Sequence, residues 1–372
     1  MASVETARRT RPKSVLRGRW WKLQRRIYVG PGRETVAIAT GVVVAVAICG
    51  ILIAAADAPV LASYRSLLDG ALGSRPAIYE TLVRATPLIF TGLAVAFAFR
   101  AKVWNIGAEG QFFAGAMAAW FVSDLWADSL PRAFMLIVIF LAAGVAGAAW
   151  ASIAGALKAY YAVNEIITTV MMNFLILFLL SYLLSDAWQA EDTYYFQTER
   201  MAGSTFLPQF FGSRLHLGLI VGIGAAALVW WMLRYTSFGY EVRGIGASRR
   251  VSEYAGINVA RSIVLIMAAS GAIAGFAGAS ELTGIHHRLQ LDISDQVGFT
   301  GIIIALVARL RAPGVVLVAV CTGAILNGAT SMQVATGVPA ALVDVLLGVT
   351  LMCVLVAAVA VRYDLVRVDL HE

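Results

Sequence analysis

A polar stripe runs through one apolar stretch of this chain, NEIITTVMMNF at 164–174. Its members recur at helical spacing and share one face of a helix: Glu165, Thr168, Thr169, Met172 and Asn173. Neutral hydroxyl and amide groups can exchange hydrogen bonds with a neutral polyhydroxyl solute without holding it as tightly as an ion would be held. The stripe therefore predicts either a solute pathway or polar contacts between helices, which Thr and Asn often supply.

A carboxylate stands in a second apolar stretch, VWNIGAEGQFF, which contains Glu109. In a helix that continues from Lys102, Glu109 lies about 10 Å inside the membrane edge, where a charge is costly unless it faces protein or water. Gly107 and Gly110 allow neighbouring backbones to approach closely or the helix to break. Two interpretations follow. Glu109 is either a structural carboxylate, which pairs with Arg100 or Lys102 or caps a helix start, or a part of a pathway or its gate.

Other residues that could do chemistry are sparse. Asp344 lies inside the last apolar stretch, so a stand-alone ion-coupled secondary transporter with Glu109 and Asp344 as proton carriers is an alternative. Adjacent histidines do not share a helix face, so His286 and His287 predict no metal site. The chain lacks the GxxxxGK[ST], HExxH, GxSxG and dinucleotide-binding patterns. We expect no catalytic residue and no cofactor, and any energy from ATP has to come from a partner.

The elements that position these groups are membrane helices. Hydrophobic residues make up 60% of the 372 positions, charged residues 14%, and the mean hydropathy is +0.78. These values lie far outside the range of soluble domains and predict an all-α polytopic membrane protein. About ten stretches are long enough to span a bilayer. They are 36–56, 82–99, 104–123, 134–157, 166–184, 217–233, 262–282, 298–311, 313–331 and 339–361.

The distribution of Lys and Arg predicts the orientation. Ten spans put both ends on one side, and most of the 29 basic residues then fall on that side, which the positive-inside rule makes cytoplasmic. The chain divides into a basic cytoplasmic tail (1–35), a transmembrane domain (36–361) with an outside loop at 185–216, and a cytoplasmic C-terminal tail (362–372). The net charge of +7 therefore indicates topology and attraction to anionic lipid, not a nucleic-acid partner.

The segment 235–260 is the largest cytoplasmic piece between spans. Ser248 is a suitable N-cap and Gly256 a suitable C′ residue for a helix of about two turns. Val251, Tyr254 and Ala255 fall on one face of that helix. The spacing predicts either a docking element under the membrane or a solvated loop.

Four stretches together resemble a known family. They are KVWNIGAEGQFFAGAMAA (102–119), NEIITTVMMNF (164–174), GYEVRGIGASRRVSEYAGI (239–257) and VGFTGIIIALVA (297–308). They are similar to the membrane permease subunits of bacterial ABC importers of the branched-chain amino acid, ribose and nucleoside type. Within this family, the longer permease of the basic-membrane-protein-linked nucleoside importers is the most similar branch. The resemblance covers the chain from about residue 36. The stretch VARLRAPG (307–314) departs from the less charged turn usual in the family.

The resemblance implies a function and a fold. The chain would form the translocation pathway for a small neutral polar solute, most often a nucleoside and alternatively a ribose-like sugar. The fold would be type II-importer-like, with about ten helices in two pseudo-symmetric halves. The polar interruptions NIGAEGQ and SDQVGFTG, one in each half, also indicate duplicated halves that meet at a midplane pathway.

The resemblance also implies partners and site residues. The partners would be a second permease subunit that forms a heterodimer, an ATPase subunit with two nucleotide sites, and an extracytoplasmic substrate-binding lipoprotein, all at the bacterial inner membrane. With the polar stripe included, the predicted pathway residues are Asn105, Glu109, Gln111, Asn164, Glu165, Thr168, Thr169, Met172 and Asn173. Residues 239–257 would form the coupling helix to the ATPase, with Tyr240, Glu241, Arg243, Gly246, Arg249, Arg250, Val251, Tyr254, Ala255 and Gly256.

Overall fold

The computed structural model describes residues 20–26, 30–126, 130–191 and 193–368. Helices dominate this part of the chain. They are α1 (Pro31–Ala55), α2 (Val60–Leu72), α3 (Arg75–Arg100), α4 (Ala108–Trp126), α5 (Arg132–Tyr161), α6 (Glu165–Leu184), α7 (Gly218–Tyr235), α8 (Ser237–Ala247), α9 (Arg249–Tyr254), α10 (Val259–Glu281), α11 (Val297–Val307), α12 (Ala312–Thr336) and α13 (Ala340–Ala360). A π-type turn, Leu282–His286, extends α10, and Gly203–Thr205 form a short 3-10 helix.

Eight of these helices are long and apolar enough to cross a membrane, and they confirm a polytopic all-α protein. They correspond to eight of the ten predicted spans. The other two predicted spans, 104–123 and 298–311, are also helical but differ from full spans. Polar side chains such as Glu109 and Gln111 make α4 less apolar, and the 11 residues of α11 reach only about 16 Å. A left-handed turn at Arg309 and Leu310 joins α11 to α12 without a loop.

The helices form two halves, and the central helix of each half packs mainly against helices of one half or the other at the centre of the molecule. Helix α3 packs mainly against α11 and α12, whereas α10 packs mainly against α4 and α5, and α3 and α10 also contact each other. If α3, α4 and α5 are replaced by α10, α11 and α12, in that order, and the reverse, each of these pairings becomes the other. This correspondence confirms the pseudo-symmetric halves. Helix α3 is the most buried candidate span, because partners surround it on every side.

Glycines on α10 allow the other helices of the core to approach closely. A Cβ atom on Gly271 would lie 2.2 Å from the carbonyl oxygen of Gly147 on α5. One on Gly115 of α4 would lie 2.4 Å from the Cα atom of Gly275. Larger residues at these positions would force the backbones apart, so the Gly271 and Gly275 spacing is a packing motif, as small residues are at membrane helix interfaces.

The segment 57–81, between the first two predicted spans, contains a helix that the sequence pattern did not indicate. Helix α2 lies against α12, and its Ser63 and Ala71 are buried there. One side of α2 packs against an apolar cluster that α1, α12 and α13 build around Ile53, Met332 and Val338. The 13 residues of α2 are too few to span a bilayer, so a transmembrane-length window does not detect them.

The two predicted tails meet in a small antiparallel sheet. Strand β1 (Trp20–Arg25) pairs with strand β2 (Tyr363–Val368), and Trp20 lies opposite Val368. Helices α1 and α13, which connect to these strands, also pack side by side. Both terminal segments are therefore on the same side of the molecule, as an even number of spans requires. The rest of the tails, residues 1–19 and 369–372, lies outside the described residues.

Candidate functional site

The polar interruptions of the two halves meet at Glu109. Its Oε2 atom accepts a 2.8 Å hydrogen bond from the backbone N–H of Gly298, and its Oε1 atom accepts one from the hydroxyl of Ser294. A Cβ atom on Gly298 would lie 2.4 Å from the Glu109 nitrogen, so glycine is needed for this approach. The carboxylate caps the start of α11, where the helix dipole favours negative charge. This contact agrees with the structural interpretation, in which Glu109 caps a helix start. The pathway role of Glu109 stays a prediction.

An amide pair stabilises the irregular segment before α4. The Asn105 and Gln111 side chains exchange two hydrogen bonds of 2.9 Å each. The Asn105 amide also donates to Ser270 on α10 at 2.8 Å, and Ser270 donates to the Ala94 carbonyl on α3 at 2.6 Å. This chain of bonds joins α3, α4 and α10 in the buried core. Each polar atom that it uses would otherwise be unpaired in an apolar environment.

The polar stripe of α6 holds the same segment from the other side. The Asn173 side chain accepts from the Gly110 N–H at 2.8 Å and donates to the Ile106 carbonyl at 3.0 Å. One turn earlier, the Thr169 hydroxyl accepts from the Ile106 N–H at 3.3 Å. The stripe therefore satisfies backbone groups that the break before α4 leaves unpaired, which is the condition for irregular backbone inside a membrane protein.

We refer to these buried groups as the central junction: Asn105, Glu109, Gln111, Thr169, Asn173, Ser270, Ser294 and Gly298. The other predicted pathway residues lie beside it. Glu165 forms an ion pair with Lys158 at 2.7 Å, and Asn164 caps α6 through the Ile166 N–H. Thr168 bonds only to the Asn164 carbonyl of its own helix, and Met172 is buried. The structure thus brings five of the nine residues into one network.

A cavity of about 390 Å³ lies next to the central junction, and Ser294 lines both. It opens toward the face of the molecule that carries loop 185–216, which we call the loop face. Its wall contains an ion pair, Arg214–Glu80 at 3.2 Å, and a contact of 3.4 Å between the side chains of His286 and Glu281. The other charged residues that line it are Arg84, Asp292 and Asp295. This charged cavity was not predicted from the sequence. The presence of charged residues such as Arg84 and Glu281 inside apolar stretches could have indicated it.

Loop 185–216 folds back onto the residues that follow α10. Thr198 and Leu289 exchange hydrogen bonds of 3.0 Å, and the Met201 N–H donates to the His287 carbonyl at 2.9 Å. The His287 ring stacks on Phe206. Burial, together with the nearby positive charge of Arg200, lowers the pKa of His287 to about 4.

The opposite face carries the segment 235–260, and we call it the coupling face. Ser248 caps α9 through the Val251 N–H, and Gly256 has a positive φ of 82°, which confirms both predicted helix boundaries. The side chains of Val251 and Tyr254 are 66% and 85% exposed. The exposure of these two side chains is compatible with a docking element, and the docking role of α9 stays a prediction.

The predicted single helix over 239–257 is two helices in the structure. It breaks at Ser248, whose extended backbone separates α8 from α9. Glu241 accepts a 2.7 Å hydrogen bond from Ser262, and a Cβ atom on Gly246 would lie 2.1 Å from the Arg100 carbonyl oxygen. These two predicted coupling residues therefore attach α8 to α10 and α3. The remaining ones, Tyr240, Arg243, Arg249, Arg250, Ala255 and Gly256, are exposed or half-buried.

Comparison with known proteins agrees with this architecture. Residues 77–355 match the family described as branched-chain amino acid transport system/permease component. The guanosine ABC transporter permease protein NupP of Bacillus subtilis is 36% identical over 308 residues, 82% of this chain and 88% of that protein.

Two further relatives differ in their solutes. The glucose ABC transporter permease protein TsgB13 of Haloferax volcanii is 33% identical over 87% of both chains. The nucleoside ABC transporter permease protein NupB of Lactococcus lactis is 31% identical over 76% of this chain and 80% of its own. No solved structure matches the chain. The chain therefore belongs to the branched-chain amino acid transport system/permease component family, and it is a transmembrane permease subunit of an ABC transporter.

Proposed function

We propose that this chain is one of two different permease subunits of an ATP-driven importer for nucleosides. The observation that carries the proposal is the similarity to the guanosine permease NupP over most of both chains. The guanosine permease protein NupQ of the same organism is also related, at 28% identity over 53% of this chain. Two related permeases in one organism support a heterodimer. The remaining partners are an ATPase with two nucleotide sites and an extracytoplasmic binding lipoprotein at a bacterial inner membrane.

The coupling face is cytoplasmic in this proposal, and α9 docks on the ATPase. The exposed Val251 and Tyr254 side chains support this role, because they would bury apolar area in a cleft of the partner. Helix α8 is attached to α3 and α10 through Gly246 and Glu241, so a displacement of α9 would be transmitted to the core. The charge distribution and the pairing of β1 with β2 support cytoplasmic termini.

The central junction links the two halves while the pathway changes its access. ATP binding would close the ATPase dimer and move α8 and α9, and the pathway between the two permeases would then open toward the binding protein. Glu109 supports this role because its carboxylate is the group of one half that holds the first turn of a helix in the other. Asn105, Gln111, Thr169 and Asn173 set the position of Glu109 by fixing the backbone before and at the start of α4.

A sugar is the second candidate solute. The 33% identity to a glucose permease supports it, and neutral amide and hydroxyl groups suit both classes. An ion-coupled transporter that works alone is the remaining alternative. Family membership weighs against it, and Asp344, its second proposed carrier, lies exposed on α13.

Purification and uptake together test the proposal. The tagged chain, purified in mild detergent from its native membrane, should bring an ATPase and a different permease with it, as mass spectrometry of the eluate would show. Membrane vesicles with the complete complex should accumulate labelled guanosine or adenosine in an ATP-dependent manner, and excess glucose should not compete. Competition by glucose but not by nucleosides would assign the sugar. Uptake on a pH gradient by the chain alone would contradict the importer.

A further inference from the structure

A large cavity on the coupling face takes no part in the mechanism described above. It measures about 710 Å³ and opens where the ends of α3 and α7 meet α8 and the start of α12. Four arginines line it together with apolar residues of α7. These lining residues are Arg100, Arg234, Arg243, Arg311, Trp230 and Leu233.

Within the part of the chain that the structure describes, no acidic residue neutralises the positive charge of this arginine cavity. Among the described residues, no carboxylate lies within ion-pair distance of any of the four guanidinium groups, and no acidic residue lines the cavity. Arg100 donates to the Leu310 carbonyl at 2.9 Å, which fixes its position, and Arg234 lies over the Trp230 ring at 5.8 Å. Four like charges around one space are unfavourable without an anion between them.

The start of α12 adds further positive potential to the same space. Pro313 and Gly314, in the first turn of this 25-residue helix, line the cavity, and no side chain caps the helix start. The backbone N–H groups of a first helical turn and the helix dipole together favour an anion. Arginine guanidinium groups and the backbone N–H groups at a helix N-terminus both bind phosphate oxygens.

One wall of the arginine cavity is apolar and belongs to a helix with a lipid-facing surface. Trp230 and Leu233 form this wall on α7. Leu228 and Trp231, on the same helix, are 59% and 51% exposed. A tryptophan at the end of an apolar helix is typical of the membrane interface, where the headgroups lie. A ligand that fits has an anionic phosphate for the arginines and hydrocarbon chains that continue along α7.

We propose that the arginine cavity binds the phosphate of an anionic phospholipid in the leaflet on the coupling face. Basic pockets between membrane helices bind such headgroups by charge and by phosphate hydrogen bonds. The arginines bind the phosphate and favour a net negative charge, so a zwitterionic lipid binds less well. The bound lipid replaces a carboxylate as the counter-charge where α3, α8 and α12 meet. The proposal goes beyond solute transport and does not depend on which solute is carried.

Native mass spectrometry of the purified chain with its co-purifying partners tests the site. The sample is exchanged into detergent that contains equal amounts of phosphatidylglycerol and phosphatidylcholine. We expect the wild-type chain to retain phosphatidylglycerol in preference to phosphatidylcholine. Because each basic residue contributes about fivefold in binding, Arg243→Gln with Arg311→Gln should lower retention about 25-fold. The matched control, Arg249→Gln with Arg250→Gln, removes two charges from α9 outside the cavity and should retain the lipid as the wild type does.

Folding and the identity of the ligand are controlled separately. Arg243→Lys with Arg311→Lys keeps both charges, and this variant should fold and retain most of the lipid if the glutamine pair proves unstable. Equal retention of the two lipids, or full retention by a folded glutamine pair, would overturn the proposal. Displacement of phosphatidylglycerol by excess inorganic phosphate would assign the site to a free phosphate. Loss of the ATPase from the glutamine pair with the lipid retained would assign the cavity to a protein contact.

Discussion

The central junction and helix α9 both lie where glycines and polar residues interrupt apolar stretches, but they end in opposite environments. Glu109 is 4% exposed, whereas Tyr254 is 85% exposed. The polar groups of the junction have partners on α3, α6, α10 and α11, whereas the side-chain hydrogen bonds of α9 in the described part of the chain all involve Ser248. The difference shows that partners on other helices, not local composition, decide whether an interruption is buried.

The two regions also divide the work of a permease. A buried network with every hydrogen bond made is rigid, because each broken bond leaves an unpaired group in an apolar environment. An exposed six-residue helix has few contacts that hold it and is free to bind a partner. Substitutions in the junction should therefore change stability and uptake together. Substitutions on α9 should change the assembly and leave the stability of the chain intact.

The largest expected effect is on assembly, from Tyr254→Asp. A charge in place of an exposed aromatic anchor would have to be desolvated in the partner's cleft, and anchors of this kind contribute at least about 2 kcal/mol. We expect co-purification of the ATPase to fall at least about thirtyfold while the thermal midpoint of the chain is unchanged. Quantitative mass spectrometry of the complex measures the first, and tryptophan fluorescence on heating measures the second.

The matched control for this variant is Tyr194→Asp. Tyr194 is fully exposed on the loop face, so it receives the same change of charge away from α9. It should leave the ATPase bound. An unchanged yield of the complex in Tyr254→Asp would remove α9 from the docking surface.

Glu109→Ala should have the next largest effect. The substitution leaves the Ser294 hydroxyl and the Gly298 N–H buried without an acceptor, and each such group costs about 1–3 kcal/mol. We expect ATP-driven uptake to fall at least about tenfold and the thermal midpoint to fall as well, while membrane insertion stays normal. Uptake in vesicles and the amount of chain in the membrane fraction are the two measurements.

Two variants isolate the role of the carboxylate. Glu109→Gln keeps one acceptor oxygen and should recover part of the lost stability, because either Gly298 or Ser294 stays bonded. Glu191→Ala removes an exposed acid from loop 185–216 and should have no effect on either measurement. Normal uptake by Glu109→Ala would exclude this residue from the mechanism, whatever its effect on stability.

The sequence predicted the helices better than the contacts between them. Apolar length identified eight spans, and capping residues identified both ends of α9, because these signals are local. The sequence predicted that the two polar interruptions meet, but not that Ser294 and Gly298 bind Glu109. These residues are almost two hundred positions away, and neither residue type marks a carboxylate partner. The separate helix α8 before Ser248 and the short helix α2 were missed for a related reason, because packing against α3, α10 and α12 decides them.

A smaller effect separates the two sides of the α6 stripe. Thr169 bonds across to the Ile106 N–H, whereas its neighbour Thr168 bonds only within its own helix. Hydrogen bonds between membrane helices contribute about 0.6 kcal/mol on average. We expect Thr169→Ala to lower the thermal midpoint measurably and Thr168→Ala to leave it unchanged. Equal shifts in the two variants would show that the stripe acts through α6 alone and not through the central junction.

The smallest effect concerns the loop face. There the titratable His287 ring packs against Phe206, whereas the side chains at the tip of α9 are exposed. Burial holds the pKa of His287 at about 4, below its usual value of 6.5, with the charges of Arg200, His286 and His216 acting in the same direction. The folded chain therefore favours the neutral ring, and this contribution is complete above pH 6.5 and is lost as the pH falls toward 4. Because solvent screens the partly exposed ring, we expect the wild-type thermal midpoint to fall by only about 1 °C more than that of His287→Gln when the pH is lowered through this window. Parallel pH profiles of the two proteins would mean that His287 is solvated on the loop face and that the contacts of loop 185–216 with the residues after α10 do not bury it.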